Sequence, residues 1–415
     1  MSLKVVLKID DLFANAPERG KLLRMFTPTQ NAAFAQLNAF VPRAGKDYAS
    51  TRNFDFGPQK HTNVSTLSPY LRTRLLTEWT VIETVLKEHS KSAAAKFIDE
   101  VCWRTYWKGY LEQRPQIWEE YCRRVPEQID THQARPYYKK ATEGTTGINF
   151  FDAWSRELTE TGYMHNHARM WFSSIWIHTL GLPWELGADF FLRHLFDGDP
   201  ASNTLSWRWV AGLHTPGKTY LARSGNIKRY TDGRFDEAQG FDELTSSPRD
   251  IEDDFVKPSP CGIEPLETHL PNGRVGLLLH EDDLSASEWI QIGDQADVIF
   301  GCIPHLVYER FSIDDRVFQF RKKALQSVLP KEAPIVETAG AIISHAQKEK
   351  LTALVLAKPF VGLWDPVCAT LEAEAAKSGI AIIYRRHWWD DHFFPHATAG
   401  FFKLKKQIPQ ALERL

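Results

Sequence analysis

Three short segments concentrate side chains able to pair charge, exchange hydrogen bonds and carry electrons. They are Thr161-Gly-Tyr-Met-His-Asn-His-Ala-Arg-Met170, Asp197-Gly-Asp-Pro-Ala-Ser-Asn203 and Ser206-Trp-Arg-Trp209. Arg169 and Asp197 offer an ion pair, whose commoner role is a bridge between helices. Buried, such a pair is costly to build and badly destabilising when halved. The Asn203 amide can donate or accept, or simply cap a turn. Trp207 and Trp209 either pack a core or, beside a redox centre, pass electrons. Upstream, Ser65, Thr66 and Ser68 stand before Pro69. Their hydroxyls suit an N-cap opening a helix, or an anion site at that helix's N-terminus.

Elements must hold these groups. Apolar residues at three- and four-residue spacing predict helices over Leu71–His89, Ala93–Arg114, Ile148–Thr161 and His165–Leu180, the last stopped by Gly181-Leu-Pro183. Residues 232–272 turn polar and rich in Pro, Ser, Asp and Glu, as a linker or long surface segment does. Short apolar strands then alternate with helices: Val275–His280, Asp297–Cys302, Ala353–Ala357 and Ile380–Tyr384, around Arg316–Val328, Gly340–Glu349 and Pro366–Ser378. That alternation predicts a parallel sheet covered on both faces. No GxGxxG follows any strand, so the usual dinucleotide fingerprint is missing. The expected fold class is α plus α/β: a helical domain over 1–231, the segment 232–272, and an α/β domain over 273–415.

The totals fit a chain of this plan. With 415 residues, two domains are the natural expectation. Hydrophobic residues at 43% support sizeable cores, and charged residues at 25% exclude global disorder. A net charge of −2 gives no global signature of a nucleic-acid binder, which leaves a local basic face as the alternative. Its candidates are His61, Arg72, Arg74, Lys108, Arg123, Arg124, Lys139 and Lys140, although a charge run is usually a solvated face. Five scattered cysteines form no C-x-x-C pair or zinc spacing, so no metal site is expected and a reducing cytoplasm fits. The start, Met1 to Asp10, is too short and charged for a signal peptide, and no apolar run reaches transmembrane length.

Taken in order, the motifs resemble the photolyase/cryptochrome family. The three opening segments are similar to its TGWMHN-x-x-RM, DGD-x-A-x-N and W-x-W. Tyr48-Ala-Ser-Thr-Arg52, Val64-Ser-Thr-Leu-Ser-Pro-Tyr-Leu71, and Phe97-Ile-Asp-Glu100 with Trp103-Arg104 resemble its Tyr/Arg element, its TSxLSPYL loop and its W-x-x-E-L-x-W-R-E-F helix. The C-terminal part resembles the family's α/β antenna domain, with His280-Glu-Asp-Asp-Leu284 a weak form of its RDLR-like turn. That domain comes first in most members; here it comes last, as if the chain were circularly permuted. Chain ends at the surface make such permutation tolerable.

The resemblance implies FAD as cofactor. It assigns flavin contacts to Tyr48, Ser65, Thr66, Leu67, Ser68, Phe97, Glu100, Arg104, Asn166, Arg169, Asp197, Asp199 and Asn203. Arg169 and Asp197 pair beside the isoalloxazine ring, and Asn203 faces flavin N5. Val64 replaces one phosphate-binding hydroxyl of the family loop. Glu100, Trp103, Asn166, Met170 and Trp209 match residues that line the cavity for a flipped cyclobutane pyrimidine dimer. There aromatic walls stack on the lesion and a carboxylic acid hydrogen-bonds it. The implied reaction is light-driven: an electron leaves excited reduced FAD, the dimer splits, and the electron returns. The (6-4) enzymes carry His at the positions of Asn166 and Met170.

Arg52, His61, Lys218 and Arg223 are expected to hold DNA phosphates. His167 stands where the family usually has a DNA-contacting Arg. Trp207 and Trp184 match the inner members of the family's electron-transfer chain. The outer one, expected near residue 130, is absent, with Tyr137, Tyr138 or Trp154 as substitutes. Cysteine positions exclude the iron–sulfur subgroup. An antenna chromophore of unnamed type is possible in the α/β domain, where Trp388 and Trp389 would fill its pocket or the interface. The rival reading is a cryptochrome-like blue-light receptor that signals to a protein partner and repairs nothing. A third is a flavin-binding interaction module with no light function.

Overall fold

The computed structural model describes residues 26–132, 136–215, 218–266, 269–290 and 296–415. The reading of Met1 to Asp10 lies outside them. Twelve described helices come first: α1 (Gln30–Phe40), α2 (Lys46–Thr51), α3 (Ser68–Thr73), α4 (Glu78–Glu88), α5 (Lys91–Glu112), α6 (Gln116–His132), α7 (Pro136–Glu143), α8 (Asn149–Thr161), α9 (Asn166–Ser174), α10 (Trp184–His194), α11 (Pro200–Val210) and α12 (Ser224–Tyr230). The longest, α5, starts where the Ser90 hydroxyl accepts from Ala93 N. It buries Phe97, Ile98, Val101, Cys102 and Tyr106, and packs against α2, α4 and α11.

The predicted helix over Leu71–His89 is two helices. Arg74 takes a left-handed φ of +54° and drives its guanidinium into a cluster of buried carboxylates. Nη1 reaches Asp283 and Nη2 reaches Asp390, each at 2.7 Å, while Nε lies 3.3 Å from Glu78. Thr77 then caps a new helix by accepting from Thr80 N. The predicted helix over His165–Leu180 also changes: α9 ends at Ser174 and its continuation, Ile175–Thr179, widens to a π turn.

Residues 232–272 contain no described helix or strand. They run along the helical part, pinned by Arg249 Nε on His178 O (2.9 Å), Asp253 on Arg208 (3.1 Å) and Cys261 N on Gln113 O (2.9 Å). The C-terminal part is a five-stranded parallel sheet in the order β3-β2-β1-β4-β5, with β1 (Val275–His280), β2 (Val298–Cys302), β3 (Ile335–Val336), β4 (Ala353–Ala357) and β5 (Ala381–Arg385). Helices α13 (Ala286–Trp289), α14 (His305–Arg310), α15 (Asp315–Val328), α16 (Ala339–Lys348) and α17 (Asp365–Ser378) connect the strands, and α18 (Trp388–Phe393), α19 (Phe401–Lys405) and α20 (Ile408–Ala411) end the chain. Two-residue β3 was not foreseen, because so short a strand has no period to read.

The crevice outside the carboxyl ends of β1 and β4, where such a sheet reverses its strand order, is the usual ligand position of a doubly wound sheet. Here it receives the helical part. Arg72 Nη1 bonds Asp282 at 2.7 Å just after β1, and Lys108 Nζ sits 3.4 Å from the Phe360 ring centroid just after β4. Trp389 is buried at this contact and donates to Thr105 Oγ1 at 3.0 Å. At Gly109 a Cβ would lie 2.8 Å from the Phe394 ring, so only glycine permits this close approach.

Candidate functional site

Helix α11 anchors the site. Asp199 is its N-cap, accepting from Ser202 N at 2.8 Å ahead of Pro200. The carboxylate's second oxygen faces three cations: Arg104 Nη2 at 3.2 Å, Arg72 Nε at 3.8 Å and Lys108 Nζ at 4.0 Å. Burial pushes this carboxyl upward, but Arg104, Lys108 and Arg72 outweigh it and hold it well below the usual range. Asp197 accepts twice from Arg169 Nη2, at 3.1 and 2.9 Å. Between the two acids, the Gly198 carbonyl accepts from Arg72 Nε (3.1 Å) and Arg321 Nη2 (2.7 Å). Asn203, one turn into α11, donates from Nδ2 to Ala188 O at 2.7 Å, leaving Oδ1 as acceptor.

The loop before α3 lies open: Ser65, Thr66 and Ser68 are partly exposed and Leu67 is buried. The side-chain N-cap considered for it is not formed, since Leu67 is the N-cap residue and has no such bond. Instead Thr66 adopts φ +50°, and Gln36 Nε2 pins the loop by donating to Ser65 O (3.0 Å) and Thr66 Oγ1 (2.6 Å). Gln36 was missed because no local spacing links it to a loop some thirty residues on. Tyr48 and Phe97 pack edge to face at 5.2 Å, both buried.

Glu100, Trp103, Met170 and Trp209 are half-buried and Asn166 is exposed. They lie on α5, α9 and α11, and α11 packs against both of the others. Burial raises the Glu100 pKa, against the pull of Arg52, whose Nη1 closes on the carboxylate. Arg52 therefore already has a carboxylate partner within the protein. One face of Trp103 is taken: Phe401 of α19 stacks on it at 4.1 Å and 10°. Trp209 lies 5.9 Å from Tyr220.

His61 departs from its expected place at a phosphate. It is buried, with Nε2 3.4 Å from Glu157, and has no nitrogen facing solvent for a phosphate. Asp55 and Glu157 beside it are bridged by Arg234, at 3.1 and 3.3 Å, so this metal-like grouping already holds a cation. Lys218 and Arg223 are exposed, as phosphate contacts need. The wider basic face does not form: Arg72, Arg74 and Lys108 are buried, and Arg123 and Arg124 are paired with acids. His167 turns inward, its Nδ1 3.0 Å from Asn53 O and its ring stacked on Trp171.

Trp207 is buried and lies 6.2 Å from Trp176, which lies 6.0 Å from Tyr138. Sequence reading missed Trp176. Trp184 instead lies 6.0 Å from Tyr121. Gly187 makes room for the Trp207–Trp176 contact, because a Cβ there would lie 2.2 Å from Trp207 Cη2. Trp154 instead stacks on Trp171 and donates to Asp55 at 2.9 Å. Tyr137 is exposed.

Residues 97–241 match the family model described as the FAD binding domain of DNA photolyase. The chain is 28% identical over 216 residues to the deoxyribodipyrimidine photo-lyase of Salmonella typhimurium, covering 50% of this chain and 44% of that one. It is 30% identical over 191 residues to the enzyme of Agrobacterium fabrum, covering 45% and 39%. These matches span less than half the length of either relative. A crystal structure of a bacterial class III photolyase from Agrobacterium tumefaciens aligns with a TM-score of 0.43 at 25% identity, over 54% of this chain and 50% of that one.

Proposed function

The chain belongs to the photolyase/cryptochrome family, and on that premise we propose that it binds FAD and repairs cyclobutane pyrimidine dimers in DNA with light. The observation that carries this reading is the exposure kept by five candidate residues on packed helices. Glu100, Trp103, Asn166, Met170 and Trp209 all retain exposure on α5, α9 and α11, with α11 packed against the other two, while Asp199 and Asn203 of α11 are buried.

The donor set fits a flavin diphosphate. Arg104 Nε, Lys108 Nζ and Ser202 Oγ are buried without a hydrogen-bond partner among the described residues, and the hydroxyls of Ser65, Thr66 and Ser68 lie at the start of α3. When bound, FAD supplies the photoexcitable electron for the dimer. The chain does the rest. Arg169 and Asp197 hold the ring edge, and Asn203 Oδ1 accepts at N5. Glu100, its pKa raised, hydrogen-bonds the lesion carbonyl as negative charge develops, while Trp103 and Trp209 flank the extruded bases. Lys218 and Arg223 hold phosphates, and Trp207 passes electrons inward.

The helical part acts as the flavin domain, residues 232–272 connect it outside the core, and the α/β part follows in an order reversed from most relatives. The proposed location is the cytoplasm, on the five free cysteines that suit a reducing compartment. The inward-turned His167 favours the second reading, a blue-light receptor with a protein partner. One assay separates them. Photoreduced protein is mixed with thymine-dimer oligonucleotide under blue light, and recovery of the thymine absorbance is followed. Light-dependent recovery that collapses in Glu100→Ala supports repair. Absence of recovery with photoreducible FAD bound moves the assignment to a receptor.

A further inference from the structure

We propose that the C-terminal segment Phe401–Lys406 is a DNA-contact element, which grips the strand beside the extruded lesion; this rests on the repair reading above. Three rings form a row from the site to solvent. Trp103 stacks on Phe401 at 4.1 Å, and Phe401 lies 6.2 Å from Phe402. Phe402 is 76% exposed, one of four large hydrophobic residues so exposed among the described residues. An apolar ring in water has a cost, and it is recovered when a base stacks on it.

The row is fixed in place. Lys405 Nζ bonds Asp99 at 2.6 Å, on the residue preceding Glu100, and Phe401 and Leu404 bury the other side of α19. Exposed Lys403 and Lys406 flank Phe402, and Lys96 is exposed one turn before Glu100 on α5. On a chain whose net charge is −2, two lysines beside an exposed aromatic, with a third on the helix that Lys405 grips, are a local match to a phosphate backbone, with the ring as the base platform.

The probe is a fluorescein-labelled duplex carrying one thymine dimer, titrated with full-length FAD-loaded protein and read by anisotropy across a salt series. Phe402→Ala is expected to weaken binding roughly tenfold. The double variant Lys403→Gln/Lys406→Gln is expected to lower the slope of log affinity against log salt by about 1.8. The control Lys348→Gln/Lys377→Gln removes equal charge from α16 and α17. Flavin absorbance, unchanged throughout, reports that each variant is folded. If the wild type binds but the tail variants match it, or match the control, the contact element is wrong while the repair reading stands. If the wild type does not bind the duplex, both fall together.

Discussion

Arg72 and Asp282, 210 positions apart in sequence, meet at 2.7 Å with 1% and 5% of their side chains exposed. The pair joins the helix behind the hydroxyl loop to the first strand of the sheet. Removing one partner strands a charge in the interior, at a cost of about 3–5 kcal/mol. Asp282→Ala should lose that much in urea denaturation. The double variant Arg72→Met/Asp282→Leu should lose less, since no lone charge remains. Equal losses in both would show that Arg72 depends on its other acceptors.

Lys108 predicts a pH signature. Burial is the largest influence and, against the pull of Asp199, brings its amine down from 10.5 to about 8. Between those values the folded state binds fewer protons than the unfolded chain, so stability rises with pH over that window. Below pH 8 the charged amine costs about 3 kcal/mol. Lys108→Met should therefore be more stable than wild type at pH 7 by up to that amount, and the gap should close towards pH 10.5. A gap that stays constant across the series argues that packing, not charge, separates the two proteins.

Asp197→Ala should weaken FAD binding roughly 100-fold, because Arg169 loses its bidentate partner and remains partly buried. Flavin-to-protein absorbance after gel filtration checks this, and full retention of flavin would remove the pair from the flavin site.

Gly187→Ala places a methyl where Trp207 already lies. Overpacking of this kind costs about 1–3 kcal/mol. The ring should move away from Trp176, and thiol-driven photoreduction should slow. Photoreduction at the wild-type rate, with stability lost, would make the Trp207–Trp176 contact structural only.

The helix lengths and the sheet were legible where a period ran long enough. Asn149–Thr161 and Val275–His280 fall within one residue of expectation, as do Asp315–Val328 and Asp365–Ser378. The Asp197-to-Asn203 run stood out by its residue types, but its local structure was not read: Asp199, not Asn203, caps the helix, and Asn203 lies one turn inside it. Other failures were decided by partners far away in sequence. Nothing near Arg74 announces that carboxylates from residues 283 and 390 will bend the chain there. Nothing near His61 distinguishes a surface imidazole from one that meets Glu157. Trp176 was overlooked because its meaning comes from Gly187 and Tyr138, not from its own neighbours in sequence.

The Gly198 carbonyl, gripped at once by Arg72 and by Arg321 of α15, gives the C-terminal third of the chain an architectural duty. It splints the turn between Asp197 and Asp199 from outside the helical part. An allele altered at Arg321 should then shift the tint of the pigment and the ease with which it is reduced, though the altered side chain belongs to the other lobe. The turn that carries both acids thus has one of its two grips in the α/β lobe, so a change there is felt on the far side of the seam.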